Sequence, residues 1–526
     1  MRFALKPWQL VILTSVFVTI TGNATFLSKL TDVYPLSLSS AGFIASTLVV
    51  LSALLVVLLM PLAFAPTVRP AMIFVIGIAA FGGYFEDTYG TVIDTIIIRS
   101  LFATNAAEAT DLANVWLFVR LFLFGVIPAV LVWRVRITPA TLPVRLRQDL
   151  VAAVTSLAVA IGTLLLFSAN YTSFFREHKP VRYYANPHST IYAIAQTAAE
   201  VLPMTESAGA REAIPARIER SPGQLPRLVI LVVGEAVRAD HFGLNGYERN
   251  TTPTLAGLPV YNFTDVSSCG TATAISVPCM FSPLGRESFS LSSAASHENL
   301  LDIVKRAGVD VMWRDNNSDS KGVADRVEVI SYRNPDVNPV CDPECRDVGM
   351  LSDLQSWIDQ RAGRDLLVVL HQMGNHGPAY YKRYPADWEK WKPVCHSNEL
   401  SECTDMEISN AYDNAIRYTD YFLGEVIGLL SRNEATRQTA MVYLSDHGES
   451  LGEYGLYLHG MPYSLAPRAQ TWVPMVMYFG PDFDVDRPQV EANEARPWSQ
   501  DNLFHTVLDL FGVETPALDP AMSMLR

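Results

Sequence analysis

Apolar runs crowd into the first third of the chain, at 8–28, 41–64, 71–85, 114–133 and 150–171. A bilayer is crossed by about 20 mostly apolar residues in a helix, so each run reads as a membrane span, the third being the shortest. The first run is followed by further spans without a small-residue cleavage site, so it reads as an anchor rather than a signal peptide. Beyond residue 171 the pattern changes. RLVILVVGE (227–235) is a β-branched run suited to a buried parallel strand. VDVMWRD (309–315), LLVVLHQMG (366–374), TAMVYLSDHG (439–448) and VPMVMYFG (473–480) are further predicted strands. Helical spacing occurs at 188–202, 297–308, 409–432 and 501–512. Strands alternating with helices predict an α/β domain with a largely parallel sheet. The expected organisation is a membrane domain at 1–171, a connector with a bridging helix at 172–225, and a soluble catalytic domain at 226–526.

Charge gives the topology. Arg2, Lys6, Arg69, Arg134, Arg136, Arg145 and Arg147 fall on one side of a five-span arrangement, and the acidic loop 86–113 on the other. Basic loops stay in the cytoplasm, so the soluble part is expected outside it. The net charge of −13 excludes nucleic acid as a natural partner. All six cysteines and all ten histidines follow residue 171. In an oxidising compartment the close pairs Cys269/Cys279, Cys341/Cys345 and Cys395/Cys403 read as local disulfides. No C-x-x-C pair supports a zinc cluster instead.

Acids and imidazoles stand where predicted strands end. Glu235 follows one strand, His371 and His376 another, and Asp446 and His447 a third, with His459 twelve residues on. Ligands bind at the carboxyl ends of strands in open parallel sheets. Glu, Asp and His suit zinc, so Glu235, Asp446, His447, His376 and His459 together point to a metal site. The stretch SSCGTATAISVPCMFS (267–282) offers three hydroxyls, Thr271, Thr273 and Ser276, between two cysteines. A hydroxyl is a poor nucleophile at neutral pH unless a base or metal activates it. Chemistry alone leaves the three open.

These stretches, with DNNSDSKGV (315–323), HQMGNHGPAYYKRYP (371–385) and YLSDHGESLGEYGLYLHGMPY (443–463), resemble the phosphoethanolamine transferases that modify lipid A or lipopolysaccharide core, a family that includes mobile colistin-resistance enzymes. The resemblance runs over nearly the whole chain. It implies an alkaline-phosphatase-like fold, Thr273 as nucleophile, and one tight Zn2+ on Glu235, Thr273, Asp446 and His447. It implies His376 and His459 as phosphoryl or second-zinc contacts, Ser318 and Lys321 near the substrate phosphate, and Thr104 and Glu108 on the ethanolamine side. Phosphatidylethanolamine would be the donor, lipid A or another lipopolysaccharide the acceptor, and the chain a monomer of the bacterial inner membrane facing the periplasm. The outcome would be a less negative surface and resistance to cationic peptides such as polymyxin. Ser100 stands where the family has Asn, and Cys341/Cys345 are closer together than the family's middle pair.

A sulfatase needs C/S-x-P-x-R. Here Met280 occupies the Arg position after Ser276 and Pro278. A phosphoglycerol transferase or phosphodiesterase of the same superfamily is the alternative, and Glu108 in its acidic loop favours an ammonium head group over glycerol.

Overall fold

Gly22 and Asn23 break the first apolar run into two helices, Pro7–Thr21 and Ala24–Val33, bent by 59°. A break frees carbonyls that a membrane cannot hydrate. Asn186 meets the break: its Nδ2 donates to Gly22 O at 3.1 Å and also to Ala79 O of helix Val68–Tyr89 at 2.8 Å, while Asn23 Nδ2 donates to Asn186 O. The predicted 8–28 span is thus a bent pair. The computed structural model describes the chain apart from residues 1–3, 39, 104–105, 139, 207–210, 212, 220–222 and 343. Among the described residues, four single helices are long and apolar enough to cross a membrane: Ala41–Leu62, Val68–Tyr89, Val115–Arg134 and Leu142–Leu166. The third run, expected to be shortest, extends to 22 residues. The last begins eight residues earlier than its apolar run, so Arg145 and Arg147 lie on its first turns rather than in a loop.

The chain divides into two units, Met1–Ile98 with Ala113–Thr197, and Arg99–Leu112 with Ala198–Arg526. The division near Thr197 cuts through helix His188–Glu206, inside the region read as a connector.

In the second unit the sheet has eight strands: β1 (Arg227–Gly234), β2 (Val260–Ser267), β3 (Asp310–Asp315), β4 (Glu328–Ser331), β5 (Leu366–His371), β6 (Gln438–Ser445), β7 (Trp472–Phe479) and β8 (Trp498–Ser499). Their spatial order is β8-β2-β7-β6-β1-β5-β3-β4. β6, β1, β5, β3 and β4 run parallel, and β7 is antiparallel to both β6 and β2. β2 and β4 were not legible as strands: both carry polar residues and intermediate or exposed positions that mask the alternation.

Both faces of the sheet are covered. Along β1, Val229, Leu231 and Val233 join the core under helix Asp501–Leu510, and Leu228, Ile230 and Val232 join the core under helix Asp405–Ser431. Burial on both sides explains why β1 reads as one unbroken apolar run. Register then sets the chemistry. Val233 lies opposite His371 on one side, and Gly234 opposite Ser445 on the other. The residues that follow these three strands therefore emerge side by side at one edge.

Candidate active site and metal centre

Glu235 leaves β1 and Asp446–His447 leaves β6 at that shared edge. Their turns are tight. Ala236 adopts the left-handed conformation, φ 56°, and donates its N–H to Asp446 Oδ1 at 3.1 Å. Such a conformation costs a non-glycine residue on the order of 1–3 kcal/mol and persists only where its surroundings over-determine it. Tyr412 supplies that restraint, since its hydroxyl donates to Ala236 O and accepts from Arg238 N. Gly374, φ 47°, packs its backbone onto Glu235, where a Cβ would stand 2.9 Å from the Glu235 carbonyl oxygen.

The structure separates the three candidate hydroxyls. Thr271 Oγ1 donates to Met461 O at 2.6 Å, and Ser276 Oγ bonds back to Ala272 O. Thr273 opens the helix Thr273–Met280. Its Oγ1 donates to Glu235 Oε2 at 3.1 Å and lies 3.3 Å from His447 Nε2. His447 Nδ1 pairs with Gly448 O at 2.8 Å. That contact places the proton on Nδ1 and turns the Nε2 lone pair inward.

Glu235, Asp446 and His447 are fully buried. His447 Nε2 lies 3.4 Å from both Glu235 Oε1 and Asp446 Oδ2. Those two carboxylate oxygens have no hydrogen-bond partner among the described residues. Two buried acids with orphaned oxygens are costly unless a cation sits between them. Burial, and then the charge of Asp446, pushes the Glu235 carboxyl well above its ordinary pKa; burial pushes His447 down. The donor set therefore fits a metal ion, which Glu235, Asp446 and His447 would hold with the Thr273 hydroxyl beside them.

His459 and His376 flank this cluster. The small hairpin Ser450–Leu451 with Tyr457–Leu458 brings His459 back beside Glu449, and His459 Nδ1 meets Glu449 Oε2 at 2.8 Å. The other Glu449 oxygen accepts from Tyr380 Oη at 2.7 Å. The ring of His459 is 4.2 Å from that of His447 and 5.9 Å from that of His376. A second group of candidate metal donors is His447, Glu449 and His459; His376 stands outside it. Burial first, and then Arg383, holds His376 neutral. Ser318 and Lys321 pair with each other, Lys321 Nζ to Ser318 Oγ at 2.7 Å. His371 turns away into a buried pair with Asp315, 2.9 Å, and is structural. Disulfides join Cys269 to Cys279, Cys341 to Cys345 and Cys395 to Cys403. Thr104 and the side chain of Glu108 lie outside the described residues.

Three supporting residues carry no sequence signal of their own. Asn317 Nδ2 donates to Glu235 Oε2 and to Gln372 O, both at 2.7 Å, fixing the carboxylate. Gln500 Nε2 donates to Ser445 O and Asp446 O, and its Oε1 accepts from Cys269 N, so one amide clips the hydroxyl loop to the end of β6. Glu449 orients His459. Asn317 and Glu449 stand inside quoted stretches, DNNSDSKGV and YLSDHGESLGEYGLYLHGMPY, beside candidate residues but with no role read for them.

The fold and site define a sulfatase-type α/β domain carried on membrane-length helices. Family models agree: Sulfatase matches residues 227–513, and Phosphoethanolamine transferase EptA/EptB matches 51–201. The chain is 43% identical over 486 residues to the phosphatidylethanolamine transferase Mcr-2 of Escherichia coli, covering 90% of each. It is 37% identical over 543 residues to the phosphoethanolamine transferase EptA of Escherichia coli K12, covering 99% of this chain and 96% of that one. The integral membrane lipooligosaccharide phosphoethanolamine transferase A of Neisseria meningitidis superposes with a TM-score of 0.94 at 32% identity over 99% of both chains. The chain belongs to the phosphoethanolamine transferase family.

Proposed function

We infer that this enzyme moves phosphoethanolamine from phosphatidylethanolamine to lipid A or another lipopolysaccharide acceptor through a phospho-Thr273 intermediate. The reading is carried by one observation: among the three hydroxyls of its loop, only Thr273 touches both Glu235 and His447. Zn2+ suits the nitrogen and oxygen donors, and when bound it supplies positive charge that favours the ionised hydroxyl and the developing phosphoryl charge. In the first step Thr273 Oγ bonds to the donor phosphorus, its proton passes toward Glu235 Oε2, and the bond to the diacylglycerol oxygen breaks. Diacylglycerol leaves after taking up a proton. In the second step an acceptor phosphate or hydroxyl oxygen attacks the same phosphorus, and Thr273 Oγ leaves and regains a proton. His459, aligned by Glu449, and His376 hold the phosphoryl oxygens, with Ser318 and Lys321 beside them.

The catalytic unit lies on the periplasmic side of the inner membrane, where the acceptor lipid is reached. Adding an ammonium to a lipid phosphate lowers the surface charge and weakens binding of cationic peptides such as polymyxin. Mass spectrometry of lipid A and core from cells with and without the chain tests the reading. A gain of one phosphoethanolamine is expected. Gain of phosphoglycerol, or no change, would reject it.

Metal removal has a pH signature. In the stripped protein the Glu235 pKa stands above its unfolded value, so this group favours folding below about pH 4.5 and that contribution is lost as pH rises through the raised folded pKa. The ion restores it by matching the carboxylate. Chelation is therefore expected to lower the melting temperature more at pH 8 than at pH 5. At a thousandfold excess of free ion over Kd, the linkage term is about 4 kcal/mol. Equal shifts at both pH values would contradict Glu235 as a ligand.

A further inference from the structure

Segment Arg99–Leu112 belongs to the C-terminal unit, although the chain on either side of it belongs to the other. Asp111, on the short helix Ala106–Leu112, fastens it. The Asp111 carboxylate is buried, with Oδ1 accepting from Lys382 Nζ at 2.5 Å and Oδ2 from Arg383 Nη2 at 2.9 Å. Asn398 Nδ2 approaches the same Oδ1 at 3.4 Å. Both oxygens are thus committed, so Asp111 is an anchor and not a receptor for a ligand ammonium.

Arg383 is the hub. Its side chain is 2% exposed, and all three faces of its guanidinium are used. Nη2 holds Asp111, Nη1 pairs with Glu344 in the hairpin closed by Cys341–Cys345, and Nε donates to the His376 carbonyl at 2.6 Å. Burial disfavours its charge, but Glu344 and Asp111 more than offset that and hold its pKa above the ordinary value. Lysine could not reproduce this, because the three partners are met by three different nitrogens of one rigid plane, whereas an ammonium offers its donors from a single atom. The bond to His376 is what lifts this network above a surface staple, because it reaches the backbone of a residue in the site.

We propose that Arg383 is a positioning residue, setting the His376 loop in register with segment Arg99–Leu112 through Asp111. This rests on the transfer reading above. Among the described residues, Arg383, Asp111 and Glu344 bond to none of Thr273, Glu235 and His447, so their loss should fall on donor binding more than on the attacking oxygen.

Full-length enzyme in detergent, with phosphatidylethanolamine as donor and diacylglycerol release as readout, tests it in wild type, Asp111→Asn, Asp111→Glu, Arg383→Lys and the Asp111→Asn/Arg383→Lys double variant. Asp111→Asn is expected to raise KM about tenfold with kcat within about threefold and bound metal unchanged, and Asp111→Glu to recover part of the loss. The double variant should be no worse than Arg383→Lys alone, since both remove one linkage. Wild-type KM in Asp111→Asn, losses that multiply in the double variant, or a kcat loss at constant KM that tracks the fraction of folded protein would each overturn the proposal. Should Arg383→Lys fail to fold, the comparison of Asp111→Asn with Asp111→Glu decides alone. Failure of wild type to release diacylglycerol would count against the transfer reading instead, and is read first.

Discussion

Thr273→Ala is expected to lower transfer by about a thousandfold or more, a loss of roughly 4 kcal/mol of transition-state stabilisation, while bound metal is largely retained. Metal should stay because Glu235, Asp446 and His447 still converge. The comparison that gives this weight is Thr271→Ala. That residue is the more deeply buried of the two and lies two positions away, but its hydroxyl donates to the carbonyl of Met461. Its removal should cost about 1 kcal/mol of stability and leave most of the activity. Thr273→Ser keeps an oxygen in place and should keep part of the rate. Incubation with donor lipid alone should leave one phosphoethanolamine on the peptide containing Thr273. An adduct on Thr271 or Ser276, or near-wild-type transfer by Thr273→Ala, would rule out the covalent route.

Asp446→Asn is expected to empty the metal centre and take activity down by at least about a hundredfold. The substitution is close to isosteric. Asp446 Oδ1 accepts from Ala236 N and His447 N, and an asparagine carbonyl can accept both. What changes is Oδ2, the orphaned oxygen that faces His447. The fold should therefore survive. A second readout sharpens the test: with metal stripped from both, the variant should melt at or above wild type, because the buried charge that disfavours ionised Glu235 is gone. Metal analysis and calorimetry on the same samples check both halves. Unchanged metal content would remove Asp446 from the centre.

Much of this site could be read from the chain because its parts follow strands. β1, β5 and β6 are buried on both faces and announce themselves as apolar runs, and the acids and imidazoles at their ends are conspicuous against that background. Which hydroxyl matters was not legible from spacing, since Thr271 and Thr273 alternate in step; a helix starting at Thr273 separates them. β2 escaped because a strand that mixes Tyr261, Asn262 and Asp265 has no clean alternation. Asn317 and Gln500 escaped for a different reason. Their work is done by amide groups aimed at main-chain atoms and a carboxylate far away in sequence, and no local pattern encodes that. The place of segment Arg99–Leu112 in the C-terminal unit was likewise invisible, because it depends on a pairing across 271 residues.

The position of β1 in the sheet has a consequence for biogenesis. It is the first of the eight strands to be synthesised, yet it lies between β5 and β6. Until residue 445 has been made, its apolar residues have a neighbour on at most one edge. Glu235 must wait for Asp446 and His447, and the clip at Gln500 closes only when nearly the whole chain is out. Such long-range pairings form late and leave intermediates prone to aggregation. An ion held by these residues would thus be acquired at the end of folding, and a nascent chain shortened by its last thirty residues would lack the amide that ties the Cys269–Cys279 loop to β6.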